Sequence, residues 1–183
     1  KVIDDIAEKI HVGKRIDLDE ARRLFAHPNL AELGMLANWV RAQRHPESIV
    51  TYNVGRNINY TNVCWVKCGF CAFYRKPGSD EGYVLPNEQI FAKIDEMVSV
   101  GGNEPKSCEI LMQGGLNPKL RLEYYEELFS AIRDRYPQVH QHCLSATEII
   151  YIAHLSRLPL TETLRRLRDA GLDSIPGAGA EIL

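Results

Sequence analysis

The sequence predicts an α/β fold in which parallel strands alternate with helical crossovers. Three observations predict it. Past residue 49, short β-branched or apolar runs alternate with helix-patterned stretches, repeating in units of about 30 residues, the span of a strand–helix–strand connection. Glycines close these units: Gly101-Gly102, Gly114-Gly115 and Gly171 stand where a helix or strand pattern ends. The chain has 183 residues, 45% of them hydrophobic and 25% charged, enough to bury a core and ordinary for a globular domain.

The elements follow in order. Residues 1–48 read as a helical extension, with Val2, Ile3, Ile6 and Ile10 at helical spacing, and Asp17 and Asp19 placed to cap a helix carrying Ala21, Leu24 and Phe25. Leu33, Leu36 and Trp39 continue the helical pattern. Residues 49–183 read as the first part of a barrel. Strand character runs through residues 49–63 and ends near Cys64. A helix over 86–100 opens on Pro86 and lines up Ile90, Ile94, Met97 and Val98. A strand over 108–112 runs into Gln113-Gly114-Gly115. A helix over 121–136 follows, with Leu122, Tyr125, Leu128, Phe129 and Ile132 in register, then a third strand over 139–144. Helices are expected at 147–155 and 160–170, and a fourth strand with its loop at 172–177. A closed eight-stranded barrel takes roughly 250 residues. About four strands are therefore half of one. The length favours a chain that is the N-terminal half of a larger barrel over two copies that cover each other's sheet edges.

Charge and hydropathy exclude some classes. Lys and Arg number 22 against 24 Asp and Glu, a formal charge of −2, so no basic field is available for a nucleic-acid backbone. No run approaches 18 apolar residues, so no membrane-spanning helix is expected. The first residues are acidic where a secretory leader would be apolar, and the expected compartment is the cytoplasm. Residue 1 is not Met and is not expected to be the natural start. Five cysteines, an odd number, argue against a disulfide framework.

Three of those five, Cys64, Cys68 and Cys71, stand at CX3CX2C spacing in a loop that follows a strand. Iron–sulfur clusters are held by thiolates, and most take four. Three ligands from one loop would leave one iron open to an exogenous ligand. In parallel α/β folds such a loop lies at the active, C-terminal face of the sheet. Zinc is the alternative, with His140 or His142 as fourth ligand. Three unremarkable buried thiols are the bland alternative, which the tight clustering disfavours.

With Phe70 before the last cysteine, the CX3CXΦC pattern resembles the signature of the radical S-adenosylmethionine (SAM) enzymes. The resemblance implies a radical SAM (β/α) barrel. In that family the three Cys hold a [4Fe-4S] cluster whose open iron is chelated by SAM, and reductive cleavage releases a 5′-deoxyadenosyl radical. The resemblance also implies that Phe70 lies near the adenine and that Gln113-Gly114-Gly115 receives the SAM amino group. Leu116 departs from the acidic residue usual after the two glycines, and Gln113 is expected to supply polarity in its place.

Within the family, four blocks look like the dehypoxanthine futalosine cyclases of menaquinone biosynthesis: residues 56–64, 71–75, 82–85 and 171–177. Ala178 stands where that group has Gly. This resemblance implies hydrogen abstraction from the ribose-like ring of dehypoxanthine futalosine. Addition of the carbon radical to the attached benzoate ring then closes a spiro ring, with net loss of two hydrogens. It also implies a low-potential electron donor such as flavodoxin or ferredoxin. Sister enzymes, the aminofutalosine synthases and the F0 synthase subunits, join two fragments instead. A non-catalytic cluster- or zinc-binding fragment is the alternative from another class.

Further candidates come with structural alternatives. Tyr74 and Arg75 follow the cysteine loop and are candidates for lining the site, Arg75 for meeting a carboxylate; packing and solvation are the alternatives. Ser145 and Glu148 are candidate SAM ligands, with Thr147 weaker, yet Ser145-x-x-Glu148 also spells a capping box. Asp173 and Ser174, ending the fourth strand, are candidate substrate contacts. His140 and His142 share a strand face and are expected to be hydrogen-bonded structural groups. Asn59, Tyr60 and Asn62 just before the cluster are read evenly between site and packing. Cys108 and Cys143 are expected in the core. Arg165, Arg166 and Arg168 are expected on a solvated helix face. Gly177 and Gly179 lack the setting of a dinucleotide fingerprint.

Overall fold

The computed structural model describes residues 3–47, 49–102 and 107–177. By internal contacts the chain divides into Lys1–Thr51 and Tyr52–Leu183. The first unit is helical: α1 (Asp4–His11), α2 (Leu18–Phe25) and α3 (Leu30–Arg44). Asp17 and Glu20 form a reciprocal capping box at the start of α2, satisfying two otherwise orphaned N–H groups. Lys9 Nζ reaches Glu20 at 2.6 Å and Arg23 reaches Asp5 at 2.8 Å, so α2 is tied to α1 by charge while Ile3 and Ile6 are buried.

The second unit runs β1 (Val54–Asn59), α4 (Asn87–Gly101), β2 (Cys108–Gln113), α5 (Leu122–Arg135), β3 (Val139–Cys143), α6 (Ala146–Ser156) and α7 (Leu160–Ala170). The strands pair in parallel in the order β1-β2-β3. Val54 stands opposite Cys108, which stands opposite Val139, and Asn59 stands opposite Gln113. Alternation along the strands decides the two faces. Ile58, Cys108, Ile110, Met112, Val139 and Cys143 pack outward against Ile90, Ile94, Leu128, Phe129, Ile132, Ile149 and Leu167 of the helices. The other face presents Gly55, Asn57, Asn59, Glu109, Leu111, Gln113, His140 and His142, all half-buried or exposed. Cys108 and Cys143 are fully buried, as expected of small core residues.

Two expectations are corrected. The strand expected from residue 49 begins at Val54, with 49–53 outside regular structure. The fourth strand is reduced to a single parallel bridge between Ser174 and His142, supported by Cys143 N–H to Ser174 O at 3.0 Å. Pro176 explains the early stop, since it has no N–H to give a ladder. Ala178 and Gly179 lie outside the described residues. Among the described residues, no helix is long and apolar enough to cross a membrane.

Candidate functional site

The C-terminal end of the sheet is where the cysteine loop is built. β1 ends at Asn59, and the chain passes through buried Tyr60, Thr61 and Asn62 before it reaches Cys64. The two limbs of the loop are pinned together by Arg75 N–H to Asn62 O (2.8 Å) and Cys64 N–H to Arg75 O (2.9 Å). Thr61 and Asn62 also bind the backbone of the segment that follows. Thr61 Oγ1 donates to Tyr83 O at 2.6 Å, and Asn62 pairs with Glu81 O and Tyr83 N–H. Between those pins residues 64–73 form no helix or strand, and Cys71 N–H turns back to Cys68 O at 3.2 Å.

The three thiols are unpaired; Cys64 and Cys71 are half-buried and Cys68 is exposed. Phe70, at the loop tip, is 94% exposed. Trp65 stacks on Tyr151 of α6 with ring centroids 5.8 Å apart. The sequence offered one signal for this pair, since Tyr151 stands one helical turn after Glu148.

The turn after β2 lies against this loop. Gly115 N–H donates to Thr61 O at 3.0 Å, and Trp65 N–H donates to Leu116 O at 3.2 Å. A Cβ on Gly115 would fall 2.4 Å from Val63 O and 2.9 Å from the Cys64 Cβ; one on Gly114 would fall 2.8 Å from the Tyr60 ring. Only glycine fits both positions, because a side chain would displace the backbone that leads into the first thiol. Both glycine N–H groups are engaged, Gly114's by Glu148 at 2.9 Å. Their carbonyls accept no hydrogen bond among the described residues, which leaves acceptors free for a cationic amine.

Glu148 is the node that holds this arrangement. Its Oε1 accepts from Tyr60 Oη (2.8 Å) and Gly114 N–H; its Oε2 accepts from the Ser145 N–H and hydroxyl, both at 2.7 Å. Ser145 Oγ accepts in return from Glu148 N–H, completing the capping box of α6. Burial pushes the Glu148 carboxyl above its ordinary range, and the four donors pull against that rise. Burial likewise raises the Tyr60 phenol, which also touches Tyr125 Oη at 3.1 Å. Tyr60 as a partner of Glu148 was not expected, because 88 residues separate the two. Leu144, at φ 60°, turns the chain from β3 into this cap.

The other candidates scatter. Gln113 lies on the inner face of the sheet, half-buried. Tyr74 is half-buried beside the loop. Arg75 is engaged inside the loop: it pairs with Glu81 and donates to Tyr74 O at 3.0 Å and Ala72 O at 3.3 Å. Asp173 is not brought to the cysteine loop. It sits lower on the sheet, accepting from Gln141 N–H (2.8 Å) and Arg133 (2.6 Å). Burial alone would raise its carboxyl, but the Gln141 N–H and the Arg133 guanidinium hold it below the ordinary value. Ser174, next to it, bridges His140 and His142. Arg165 and Arg168 are exposed on α7, as expected, whereas Arg166 is half-buried and paired with Glu126 of α5.

Residues 58–178 match the family model described as the radical SAM superfamily. The chain belongs to the radical SAM superfamily. It is 46% identical over 181 residues to the cyclic dehypoxanthine futalosine synthase of Halalkalibacterium halodurans, an alignment covering 99% of this chain and 48% of that protein. It is 37% identical over 183 residues to a 5-amino-6-(D-ribitylamino)uracil–L-tyrosine 4-hydroxyphenyl transferase of Methanosarcina mazei, covering 100% of this chain and 46% of that protein. The chain thus spans about half the length of the curated relatives it matches. Among solved structures, methylornithine synthase superposes with a TM-score of 0.57 at 12% identity, covering 91% of this chain and 56% of that one. The fold is a partial radical SAM (β/α) barrel, three parallel strands with their helices. Superfamily members use a [4Fe-4S] cluster and SAM. The donor set fits: three unpaired thiols on one loop suit a cluster with an open iron, and the side-chain-free turn beside Cys64 offers free carbonyls.

Proposed function

We propose that this chain is the cluster-bearing part of a radical SAM enzyme that cyclises dehypoxanthine futalosine to its spiro-ring product in menaquinone biosynthesis. One observation carries the reading. The three unpaired thiols stand on a loop pinned at the C-terminal end of β1, against a glycine turn, in a chain 46% identical across its length to a protein of that name. Cys64, Cys68 and Cys71 hold the cluster. When bound, cluster and SAM together supply a 5′-deoxyadenosyl radical.

The chain's own residues bind and orient. The Gly114 and Gly115 carbonyls accept from the SAM amino group, and Gln113 adds a polar side chain at the sheet edge. Glu148 and Ser145 fix that turn through the Gly114 N–H bond and the cap of α6, so they act on SAM by positioning. Phe70 covers the adenine and Tyr74 lines the mouth, excluding water and stray hydrogen donors. Arg75 holds the loop closed and, on its open side, is available to a carboxylate. Asp173 serves the substrate wall through the histidines beside it.

Residues 1–48 are a helical extension and 49–183 the barrel part. A flavodoxin- or ferredoxin-like protein in the cytoplasm donates the electron, and nucleic acid is no partner. The Methanosarcina relative favours a second reading, a sister enzyme that joins two fragments.

Anaerobic reconstitution tests the proposal. Reduced protein with SAM and dehypoxanthine futalosine is expected to form 5′-deoxyadenosine and a product two hydrogens lighter than substrate, and the reduced-cluster EPR signal is expected to change on adding SAM. A heavier, joined product would support the sister reading. One zinc per chain and no iron would overturn both.

A further inference from the structure

The inner face of the sheet is polar where a barrel interior is ordinarily packed with Val, Ile and Leu. Six of its positions, Asn57, Asn59, Glu109, Gln113, His140 and His142, carry hydrogen-bonding side chains. Those of Asn57, Asn59, Glu109 and Gln113 make no hydrogen bond among the described residues. Asn57 and Asn59 are exposed and Glu109 and Gln113 half-buried, so these groups are open to a ligand as well as to water.

Two of these residues are already aimed. Ser174 Oγ lies 2.7 Å from His140 Nε2 and 2.6 Å from His142 Nδ1. One hydroxyl has one proton to give, so one imidazole accepts and the other donates. Both rings are thereby fixed, stacked at 25°, and Nε2 of His142 makes no hydrogen bond among the described residues. Glu109 adds a carboxylate. One donor atom from each of Glu109, His140 and His142 lies within 4.8 Å of the others. Around them, Asp173 is compensated by Arg133, and the one basic group recorded near the Glu109 carboxylate among the described residues is His140, 4.0 Å away. The Glu109 carboxylate and the His142 ring nitrogen thus offer acceptors, which suit hydroxyl donors.

Depth separates the substrate from the cofactor. His142 is paired with Leu111 and Glu109 with His140, two and four residues before Gln113. At about 3.3 Å per residue that is roughly 7 and 13 Å below the edge where the cysteine loop lies.

We propose that this inner face is a sugar-binding wall, on which Glu109 and His142 hydrogen-bond vicinal hydroxyls of the substrate's ribose-like ring. The substrate's identity rests on the cyclase reading; the ligand chemistry does not. The trio also suits a divalent cation, but the Ser174 hydroxyl stands where both imidazoles point.

Calorimetric titration of the reconstituted chain tests this, with dehypoxanthine futalosine, SAM, methyl ribofuranoside and its deoxy analogue, and Zn2+ as probes. Glu109→Gln and His142→Asn are the variants, their folding checked by circular dichroism. Glu109→Gln is expected to weaken dehypoxanthine futalosine and methyl ribofuranoside about tenfold, the loss of a hydrogen bond to a charged acceptor. SAM is expected to bind unchanged, and the deoxy analogue to be weak and indifferent to the substitution. If methyl ribofuranoside depends on Glu109 while dehypoxanthine futalosine does not bind, the cyclase reading fails and the wall stands. If dehypoxanthine futalosine binds equally to all variants, if the variants weaken SAM instead, or if only Zn2+ depends on the trio, the wall is overturned.

Discussion

Two clusters meet at the same end of the sheet and are built on opposite principles. Around Glu148 the polar atoms of Tyr60, Gly114 and Ser145 are paired, and the carboxylate is buried among them. Around Cys68 and Phe70 the chain is exposed and held by backbone bonds at its two limbs. Such a loop adds little to stability, because it buries little apolar surface. The node adds stability and no evident chemistry, because its oxygens are already occupied. The arrangement places reactive thiols on a segment free to accept a ligand and leaves rigidity to a neighbour that binds nothing.

The largest expected effect falls on the loop. Cys71→Ala should abolish the SAM-dependent EPR signal and reduce product at least 100-fold, while thermal unfolding of the apo chain shifts by less than about 1 kcal/mol. A large loss of apo stability would show that the loop is structural after all. The node should do the reverse. Glu148→Ala strands Tyr60, the Gly114 N–H and Ser145 in a buried site and should cost about 3 kcal/mol in denaturant unfolding. Little loss there, with SAM affinity falling sharply, would turn Glu148 from a positioning residue into a direct ligand.

Third in size is Gly115→Ala. Its Cβ would meet the Val63 carbonyl at 2.4 Å, a backbone atom that cannot swing away. The substitution should cost about 2 kcal/mol by overpacking and lower SAM affinity, since the strand end and the first cysteine must part. It is expected to move both clusters directly, and unaltered SAM affinity would separate them.

How much of this was legible depended on whether the determinant was local. The three cysteines, the Ser145–Glu148 box and the helix faces through Ile90, Ile94 and Met97 are written at fixed spacing, and the structure has them in those places. The fourth strand expected over 172–177 shrinks to a bridge at Ser174, because Pro176 has no N–H to extend a ladder. The start of β1 was set too early because β-branched residues 49–51 look like a strand when no partner is considered. Tyr60's bond to Glu148 and the Arg133–Asp173 pair could not be read at all. They join residues 88 and 40 positions apart, and only the parallel register brings them together. Asp173 was accordingly assigned to the loop end of the sheet, while its partners hold it lower down.

Acid sharpens the same contrast with a smaller effect. Asp173 is held below its ordinary value of 3.8, so its contribution is present above the unfolded-state pKa and is lost as pH falls through the lower, folded one. Glu148 has the opposite sign. Its raised value means that the folded state keeps a proton longer than the unfolded chain. Its effect on stability is therefore unfavourable above 4.5 and fades as pH falls towards that value. Glu148→Gln should flatten the pH dependence of unfolding just above pH 4.5, and Asp173→Asn should flatten it below pH 3.8. An unchanged profile in Glu148→Gln would mean that the donors fully offset burial.

The smallest effect on stability is expected at Phe70. With 94% of its surface exposed, Phe70→Ala removes almost no buried area, so unfolding should stay within about 0.5 kcal/mol of the parent chain. The aromatic ring nevertheless stands exposed next to Cys71, and its proposed partner is an adenine. SAM affinity should therefore fall several-fold, the usual worth of one stacking contact on a base, while Phe70→Tyr restores it. Loss of stability without loss of SAM affinity would mean that Phe70 packs within this protein, and the division between a binding loop and a rigid node would fail at Phe70.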